Sequence, residues 1–186
     1  MSHKVAIIMG STRPNNICTH IAKWVKQTIE SSNKIELSII NLADWNLPFL
    51  DEPGIAAVHP YEQEHTKAWS QRILSEDGFI FITPQYNWGY PAPLKNAIDY
   101  LYKEWNDKNA VIITYGGHGG NKVAGQLKQV LEGGCKMKIM DKMPGITLSH
   151  ELIKDQIRTD LDKHFQPYTQ DIQQAAEQLI AALNTK

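Results

Sequence analysis

The segment Gly78–Leu101, GFIFITPQYNWGYPAPLKNAIDYL, decides the fold of this 186-residue chain. It opens with an apolar run of aromatic and β-branched residues, which predicts a short strand buried on both faces. Pro84 and Gly89 then mark a loop, and apolar residues at helical spacing over Pro91–Trp105 predict a helix with proline in its first turn. A buried strand that leads through a short loop into a helix is the repeating unit of parallel α/β sheets.

The same alternation of strands and helices continues along the rest of the chain. Four further strands are predicted, the last weaker than the others: Val5–Met9, Lys34–Ile40, Ala110–Tyr115 and Lys136–Met140. Four further helices are predicted: Ile17–Ile29, Tyr61–Ser75, Asn121–Leu131 and Gln166–Leu183. Five such strands predict an α/β fold with a doubly wound parallel sheet of order 2-1-3-4-5, helices on both faces, and a single domain over residues 1–186. Ligands of such sheets bind beyond the carboxyl ends of the strands, so we expect a site in the loops after the first, third and fourth strands.

Composition argues against several classes of protein. The 19 Lys and Arg residues balance 20 Asp and Glu residues, which disfavours a nucleic-acid-binding protein with a basic face. Cys18 and Cys135 form no CxxC pair, so we expect no disulfide framework, no metal site and a reducing, cytoplasmic location. The chain has no apolar run of the ~18 residues that a membrane span needs, so no membrane partner is expected.

The first of the three loops, Gly10–Thr19 (GSTRPNNICT), leads from a strand into a helix. The N-terminus of a helix presents unpaired N–H groups that attract anions. Ser11 and Asn16 add neutral donors, and Arg13 adds a fixed charge that can bind phosphate through two hydrogen bonds. Because the chain contains neither GxGxxG nor GK, the loop predicts a monophosphate site of another kind. The alternative is an ordinary helix cap.

The second loop offers a wall for a flat ring. Tyr86 and Trp88 supply aromatic faces, while Gln85, Asn87 and the backbone N–H groups of residues 85–88 can reach the edge of a planar heteroaromatic ring. The alternative is that these aromatic residues pack a subunit interface or a hydrophobic lid.

The third loop, YGGHGG over Tyr115–Gly120, lets the chain run against a flat object. Gly116 and Gly117 have no side chain to obstruct a ring, and His118 is placed to touch its rim. The alternative for His118 is an ordinary surface or capping histidine. A phosphate site beside a slot for a large ring predicts FMN. Since the chain lacks HExxH and GxSxG, we expect the cofactor to carry the reaction.

Three motifs resemble the NAD(P)H-dependent FMN reductase family: GSTRP, PQYNWGYPAPLKNAIDYLY and YGGHGG. This is a flavodoxin-like group that includes quinone, azo and chromate reductases, and the resemblance is closest to its fungal and bacterial quinone/FMN reductase branch, over Val5–Leu131. The resemblance implies a flavodoxin-like FMN-binding domain. Together with the loop arguments it implicates these residues in FMN binding: Ser11, Arg13, Asn16, Ile17, Cys18, Pro84, Gln85, Tyr86, Asn87, Trp88, Gly116, Gly117 and His118.

The resemblance also implies an activity. NADPH or NADH gives a hydride to N5 of the flavin, and a quinone, azo dye or free flavin then takes the electrons in a ping-pong cycle. No side chain is expected to act as a catalyst in its own right, although His118 is a candidate for an electrostatic role near N1 and O2. A homodimer or tetramer is expected. Two alternatives stay open, a flavodoxin-like electron carrier and a module whose docking depends on flavin state.

Overall fold

Six parallel strands form the centre of the structure, a computed structural model that describes residues 3–31, 35–155 and 159–185. The strands are β1 Lys4–Met9, β2 Glu36–Asn41, β3 Gly78–Pro84, β4 Asn109–Gly116, β5 Lys138–Ile139 and β6 Gly145–Thr147. The α-helices are α1 Cys18–Glu30, α2 Leu42–Trp45, α3 Glu64–Leu74, α4 Ala92–Asp99, α5 Asn121–Gln129, α6 Leu161–Phe165 and α7 Thr169–Asn184. Short π-helical turns cover Val130–Gly134 and Glu151–Asp155, and a 3-10 turn covers Gln166–Tyr168.

The strand order is β2-β1-β3-β4-β5, which confirms the predicted doubly wound sheet. All the pairings are parallel, and β1 lies between β2 and β3. The winding therefore reverses beside β1, and the carboxyl ends of β1, β3 and β4 lie together at one edge of the sheet.

The outer position next to β4 holds two short strands where the sequence predicts one. β5 pairs with the start of β4 through Ala110 and Ile139, and β6 pairs with its end, where Thr114 lies opposite Gly145. Between them the Thr114 amide donates to the Pro144 carbonyl at 2.9 Å. Proline has no N–H to give to a ladder, which accounts for the break. The strand predicted over Lys136–Met140 is thus correct only at its centre, and β6 was missed.

The two faces of the sheet are covered by different helices. Alternate strand residues point to opposite sides, so Ile7 belongs to one apolar cluster and its neighbour Ile8 to the other. The first cluster includes residues of α1 and α7, and the second includes residues of α3, α4 and α5. The prediction of helices on both faces is confirmed.

Several predicted boundaries were wrong for identifiable reasons. The helix expected over Pro91–Trp105 ends at Asp99, because the chain turns to bury Trp105, whose indole N–H donates to the Ile98 carbonyl at 3.1 Å. The helix expected from Tyr61 begins at Glu64, and before it the Glu52 carboxylate accepts the amides of residues 62 and 63 at 2.9 and 3.0 Å.

The starts of two further predicted elements also differ from the structure. The final helix starts at Thr169, after the turn that contains Pro167. β2 starts at Glu36, and Lys34, the predicted start, lies outside the described residues. The short helix α2 was not predicted, and Asn41 caps it by accepting the Ala43 amide at 3.2 Å.

Both cysteines are buried free thiols. Within residues 3–31, 35–155 and 159–185, none of the helices has the length and apolar character needed to cross a membrane. A cytoplasmic location and a single domain stay predictions.

Candidate functional site

A cavity of about 290 Å³ opens at the carboxyl edge of the sheet, where the three predicted loops meet. A fourth segment, residues 148–153, completes its wall, and we call it the lid segment. The lining residues are Arg13, Pro14, Asn15, Asn16, Ile17, Pro84, Gln85, Tyr86, Tyr115, Gly116, Gly117, Leu148, Leu152 and Ile153. The topology thus brings together residues that are more than 100 positions apart in sequence.

The loop after β1 is held in shape by Asn16. Its side-chain N–H donates to the Arg13 carbonyl at 2.6 Å, and its Oδ1 accepts the Thr19 amide at 3.2 Å. The second of these bonds caps the first turn of α1. Asn15 has φ +52°, a left-handed conformation that asparagine tolerates better than most residues. The loop therefore reaches α1 as a tight turn with the first N–H groups of the helix near the cavity.

Arg13 is exposed at the cavity, and its guanidinium carbon lies 5.8 Å from the centre of the Tyr86 ring. Within the described ranges, no carboxylate forms an ion pair with Arg13 and none lines the cavity. A fixed positive charge beside the N-terminus of α1 makes this end of the cavity suited to an anion.

The loop after β3 contains a tight reverse turn. The backbone N–H groups of Tyr86 and Gly89 donate to each other's carbonyl oxygens at 2.9 Å. Asn87 and Trp88, at its centre, have φ values of +48° and +71°, as a type I′ turn requires. Tyr86 faces the cavity, whereas Asn87 and Trp88 are exposed and are not among the residues that line it.

Gln85 joins the loop after β3 to the start of α5. Its Oε1 accepts the backbone amides of Lys122 and Val123 at 3.1 and 3.4 Å, and its own amide donates to the Tyr115 carbonyl at 3.1 Å. The amide of Tyr86 is also used inside its turn. Two of the four backbone N–H groups that were expected to face a ring edge are therefore occupied within the protein.

The last residue of β4, Gly116, and the first residue of the loop after it, Gly117, belong to the cavity wall, while His118 is exposed outside it. Against these glycines lies the lid segment. The Leu148 amide donates to the Gly116 carbonyl at 2.9 Å, and a Cβ on Gly117 would lie 3.5 Å from Cδ1 of Ile153. Ile153 therefore packs against the backbone of Gly117, and the lid segment adds aliphatic side chains to the cavity wall.

Residues 3–151 of the chain match the family described as NADPH-dependent FMN reductase. The chain belongs to this family. An NAD(P)H-dependent FMN reductase of Schizosaccharomyces pombe is 48% identical over 152 residues, which are 81% of this chain and 76% of that protein. The predicted flavodoxin-like fold, the oxidoreductase class, the FMN cofactor and the use of NAD(P)H are confirmed at the level of the family.

Two further relatives extend the comparison. An NADPH:quinone oxidoreductase of Arabidopsis thaliana is 32% identical over 133 residues, or 68% of this chain and 65% of that protein. Among solved structures, FerB, a flavoenzyme NAD(P)H:(acceptor) oxidoreductase of Paracoccus denitrificans, superposes with a TM-score of 0.68 at 26% identity. That alignment covers 94% of this chain and 97% of FerB.

The residues present fit the cofactor of an FMN reductase. One end of the cavity carries the cation and helix N-terminus that a phosphate needs, and the rest is a slot without carboxylates among its described residues. The cavity is close to the lower limit of typical ligand pockets, roughly 300 Å³. Tyr86, Gly117 and Ile153 contribute an aromatic side chain, bare backbone and an aliphatic side chain to the lining, which suits a flat apolar ring.

Five residues predicted to bind FMN lie outside the cavity lining: Ser11, Cys18, Asn87, Trp88 and His118. Ser11 is fully buried, and its Oγ shares a hydrogen bond of 3.1 Å with the Tyr86 hydroxyl. The Cys18 thiol is also buried, and it approaches the Ile82 carbonyl at 3.6 Å. Burial raises the pKa of this thiol to about 11, so it stays protonated and unreactive at neutral pH.

The lid segment and Tyr115 were not predicted as parts of the site. Tyr115 lines the cavity but is buried, and burial and the neighbouring Cys18 raise the pKa of its hydroxyl well above the usual value. The lid segment depends on β6, a three-residue strand. Its only signal is the alternation of apolar and polar residues in GITLS, residues 145–149, which is too short to interpret alone.

Proposed function

We propose that the cavity binds one FMN molecule, which NADPH or NADH reduces and a quinone, azo dye or free flavin oxidises again. Membership of the FMN reductase family supports the cofactor. One observation carries the assignment of the site: Arg13, which has no carboxylate partner among the described residues, the N-terminus of α1 and the loops after β3 and β4 meet in one cavity.

The first loop would hold the phosphate. Arg13 would supply the charge, and the amides at the start of α1, including that of Ile17, would donate hydrogen bonds. Asn16 keeps the loop in the conformation that would bind the phosphate, through its hydrogen bonds to Arg13 and Thr19. Ser11 would act indirectly, because its hydroxyl positions the Tyr86 side chain through a hydrogen bond.

The ring would lie between Tyr86 and Pro84 on one side and Gly116 and Gly117 on the other. When bound, FMN supplies a ring nitrogen that accepts a hydride and passes electrons on to a second substrate. The chain's own part is to hold the ring, and its aliphatic lid segment excludes water from it. The aliphatic residues of the lid segment make no directional contacts that would restrict the shape of an acceptor, which is consistent with quinones as one class. The Arabidopsis relative is named for that substrate.

Donor and acceptor would use the same opening in turn. NAD(P)⁺ would have to leave before a quinone enters, since a slot near 290 Å³ that already holds a ring has no room for both. We therefore expect ping-pong kinetics. Plots of reciprocal rate against reciprocal NADPH concentration, at several fixed concentrations of benzoquinone, should give parallel lines, and intersecting lines would contradict a shared opening.

A spectroscopic experiment on the FMN-loaded protein distinguishes an enzyme from an electron carrier. Anaerobic NADPH should bleach the visible absorption of the bound flavin within the time of one turnover. A flavin that stays oxidised until a protein reductase is added would favour the carrier. The third possibility is a module that docks to a partner in one flavin state. A protein with fast turnover whose docking also depends on the flavin state would be both an enzyme and such a module.

We also propose that the protein is a homodimer, with an interface at a groove of about 900 Å³ beside α4. Phe49, Ile55 and Val58, on the loop that borders this groove, are 86%, 68% and 69% exposed. The base of the loop is fixed: the Tyr100 hydroxyl donates to Asp51 at 2.9 Å, and the Asn96 amide group donates to the Pro48 carbonyl at 2.7 Å. A rigid loop that presents apolar side chains beside an apolar groove suits a second copy of the same surface.

Light scattering should give the mass of two 21.1-kDa chains for the native protein and of one chain for Ile55→Asp. Ile55 is exposed, so this variant should fold. Leu74→Asp is the matched control, because Leu74 is 57% exposed at the end of α3 and does not line the groove. A native mass of one chain, or equal effects of both variants, would contradict the proposed interface.

A further inference from the structure

Trp88 is an unusual residue for its position in the turn between Tyr86 and Gly89. Its φ of +71° is unfavourable for a bulky side chain, and asparagine followed by glycine is the preferred pair at the centre of such turns. The indole is 64% exposed, so it adds little to the core. A strained and exposed aromatic residue near a ligand site points to a role in binding.

The side chain of Lys122 lies over one face of the Trp88 indole. Its Nζ lies 5.0 Å from the ring centre, within the range of a cation–π contact. The backbone amide of Lys122 donates to Gln85, a residue of the cavity wall, and Trp88 belongs to the turn that starts at Tyr86, another residue of that wall. Trp88 and Lys122 thus each adjoin a residue of the cavity wall, Trp88 through the turn that starts at Tyr86 and Lys122 through its backbone bond to Gln85.

Lys122 carries a charge that no carboxylate neutralises among the residues that the structure describes. In the ranges that the structure describes, no carboxylate forms an ion pair with it. Its position in the first turn of α5 is also unfavourable for a cation, because the N-terminus of a helix is itself positive. A cation kept there beside an aromatic ring suits a ligand that carries both a flat base and phosphate groups.

We propose that Trp88 and Lys122 form a binding site for the adenosine phosphate half of NAD(P)H, an inference that rests on the proposed function. The cavity is too small for a whole dinucleotide once it holds a flavin, so the adenosine half must lie at the rim. Adenine stacks on the face of Trp88 that Lys122 leaves open, and Lys122 attracts the phosphates. A quinone has no phosphate, so this site favours the electron donor over the acceptor.

The test compares three donors with the FMN-loaded enzyme at a fixed quinone concentration: NADPH, NADH and reduced nicotinamide mononucleotide, which lacks adenosine. Trp88→Gly should lower kcat/KM for both dinucleotides about 5- to 150-fold, the loss expected for one stacked base. The mononucleotide rate should fall by less than about twofold, since its contacts lie inside the cavity. Trp88→Phe, which keeps an aromatic face, should recover most of the loss.

Lys122→Gln should raise KM for both dinucleotides, and Lys128→Gln, the loss of a lysine elsewhere on α5, should not. Trp88→Gly should unfold at the same temperature as the parent or higher, because glycine relieves the strained turn. An equal loss with all three donors would place Trp88 on the flavin itself and overturn the proposal. Unchanged rates with the dinucleotides, or a variant that unfolds earlier, would overturn it as well. A native enzyme that fails with all three donors would overturn the proposed function with it.

Discussion

Replacing Arg13 with alanine should weaken FMN binding and leave riboflavin binding almost unchanged. Riboflavin has the same ring as FMN but lacks the phosphate, so it reports on the slot without the anion site. A hydrogen bond to a charged group contributes roughly 1.5–3 kcal/mol, which corresponds to about 12- to 150-fold in the dissociation constant. Arg13 lines the cavity and has no carboxylate partner among the described residues, so little else should change when it is removed.

Quenching of flavin fluorescence measures both constants on the apoprotein. Arg13→Lys is the matched variant, because lysine keeps the charge but cannot bind phosphate through two parallel hydrogen bonds, and it should fall between the parent and alanine. Parallel losses of FMN and riboflavin would mean that the loop had collapsed. FMN binding as tight as in the parent would place the phosphate away from Arg13.

The architecture was predictable because buried parallel strands leave a strong signal. Runs such as GFIFIT do not alternate apolar with polar residues. Each is followed, after a turn residue, by apolar residues at helical spacing. Once five such units are counted, strand order and the binding edge follow from general rules of α/β folds. The weak fifth strand was misjudged because its position is shared by two strands of two and three residues.

Which side chains face the cavity was less predictable. Sequence shows that Ser11 and Gln85 can donate or accept hydrogen bonds, but not that Tyr86 and the start of α5 already occupy them. Nor does it show that the Tyr86 turn directs Trp88 outward, since that depends on two left-handed residues in succession. These outcomes depend on contacts between distant parts of the chain, which local patterns do not encode.

Gly120→Ala should be one of the most damaging single substitutions outside the apolar core. Gly120 has φ +77°, and a Cβ there would lie 2.8 Å from Cβ of Thr114. The left-handed conformation costs a side chain roughly 1–2 kcal/mol, and forcing an extra methyl group into packed structure adds about 1–3 kcal/mol. We therefore expect the free energy of unfolding to fall by roughly 2–5 kcal/mol, a large share of the stability of a typical domain.

Gly125→Ala is the matched control on the same helix. Gly125 lies inside α5, and a Cβ there would meet no atom within 4 Å, so alanine should stabilise the protein by about 0.5–1 kcal/mol. Urea unfolding curves give both values, and they should differ in sign. Loss of stability in Gly125→Ala would indicate that another chain packs closely on this face. A Gly120→Ala protein as stable as the parent would show that the turn from β4 into α5 can rearrange. The wall formed by Gly116 and Gly117 would then not be the rigid surface on which the proposed flavin slot depends.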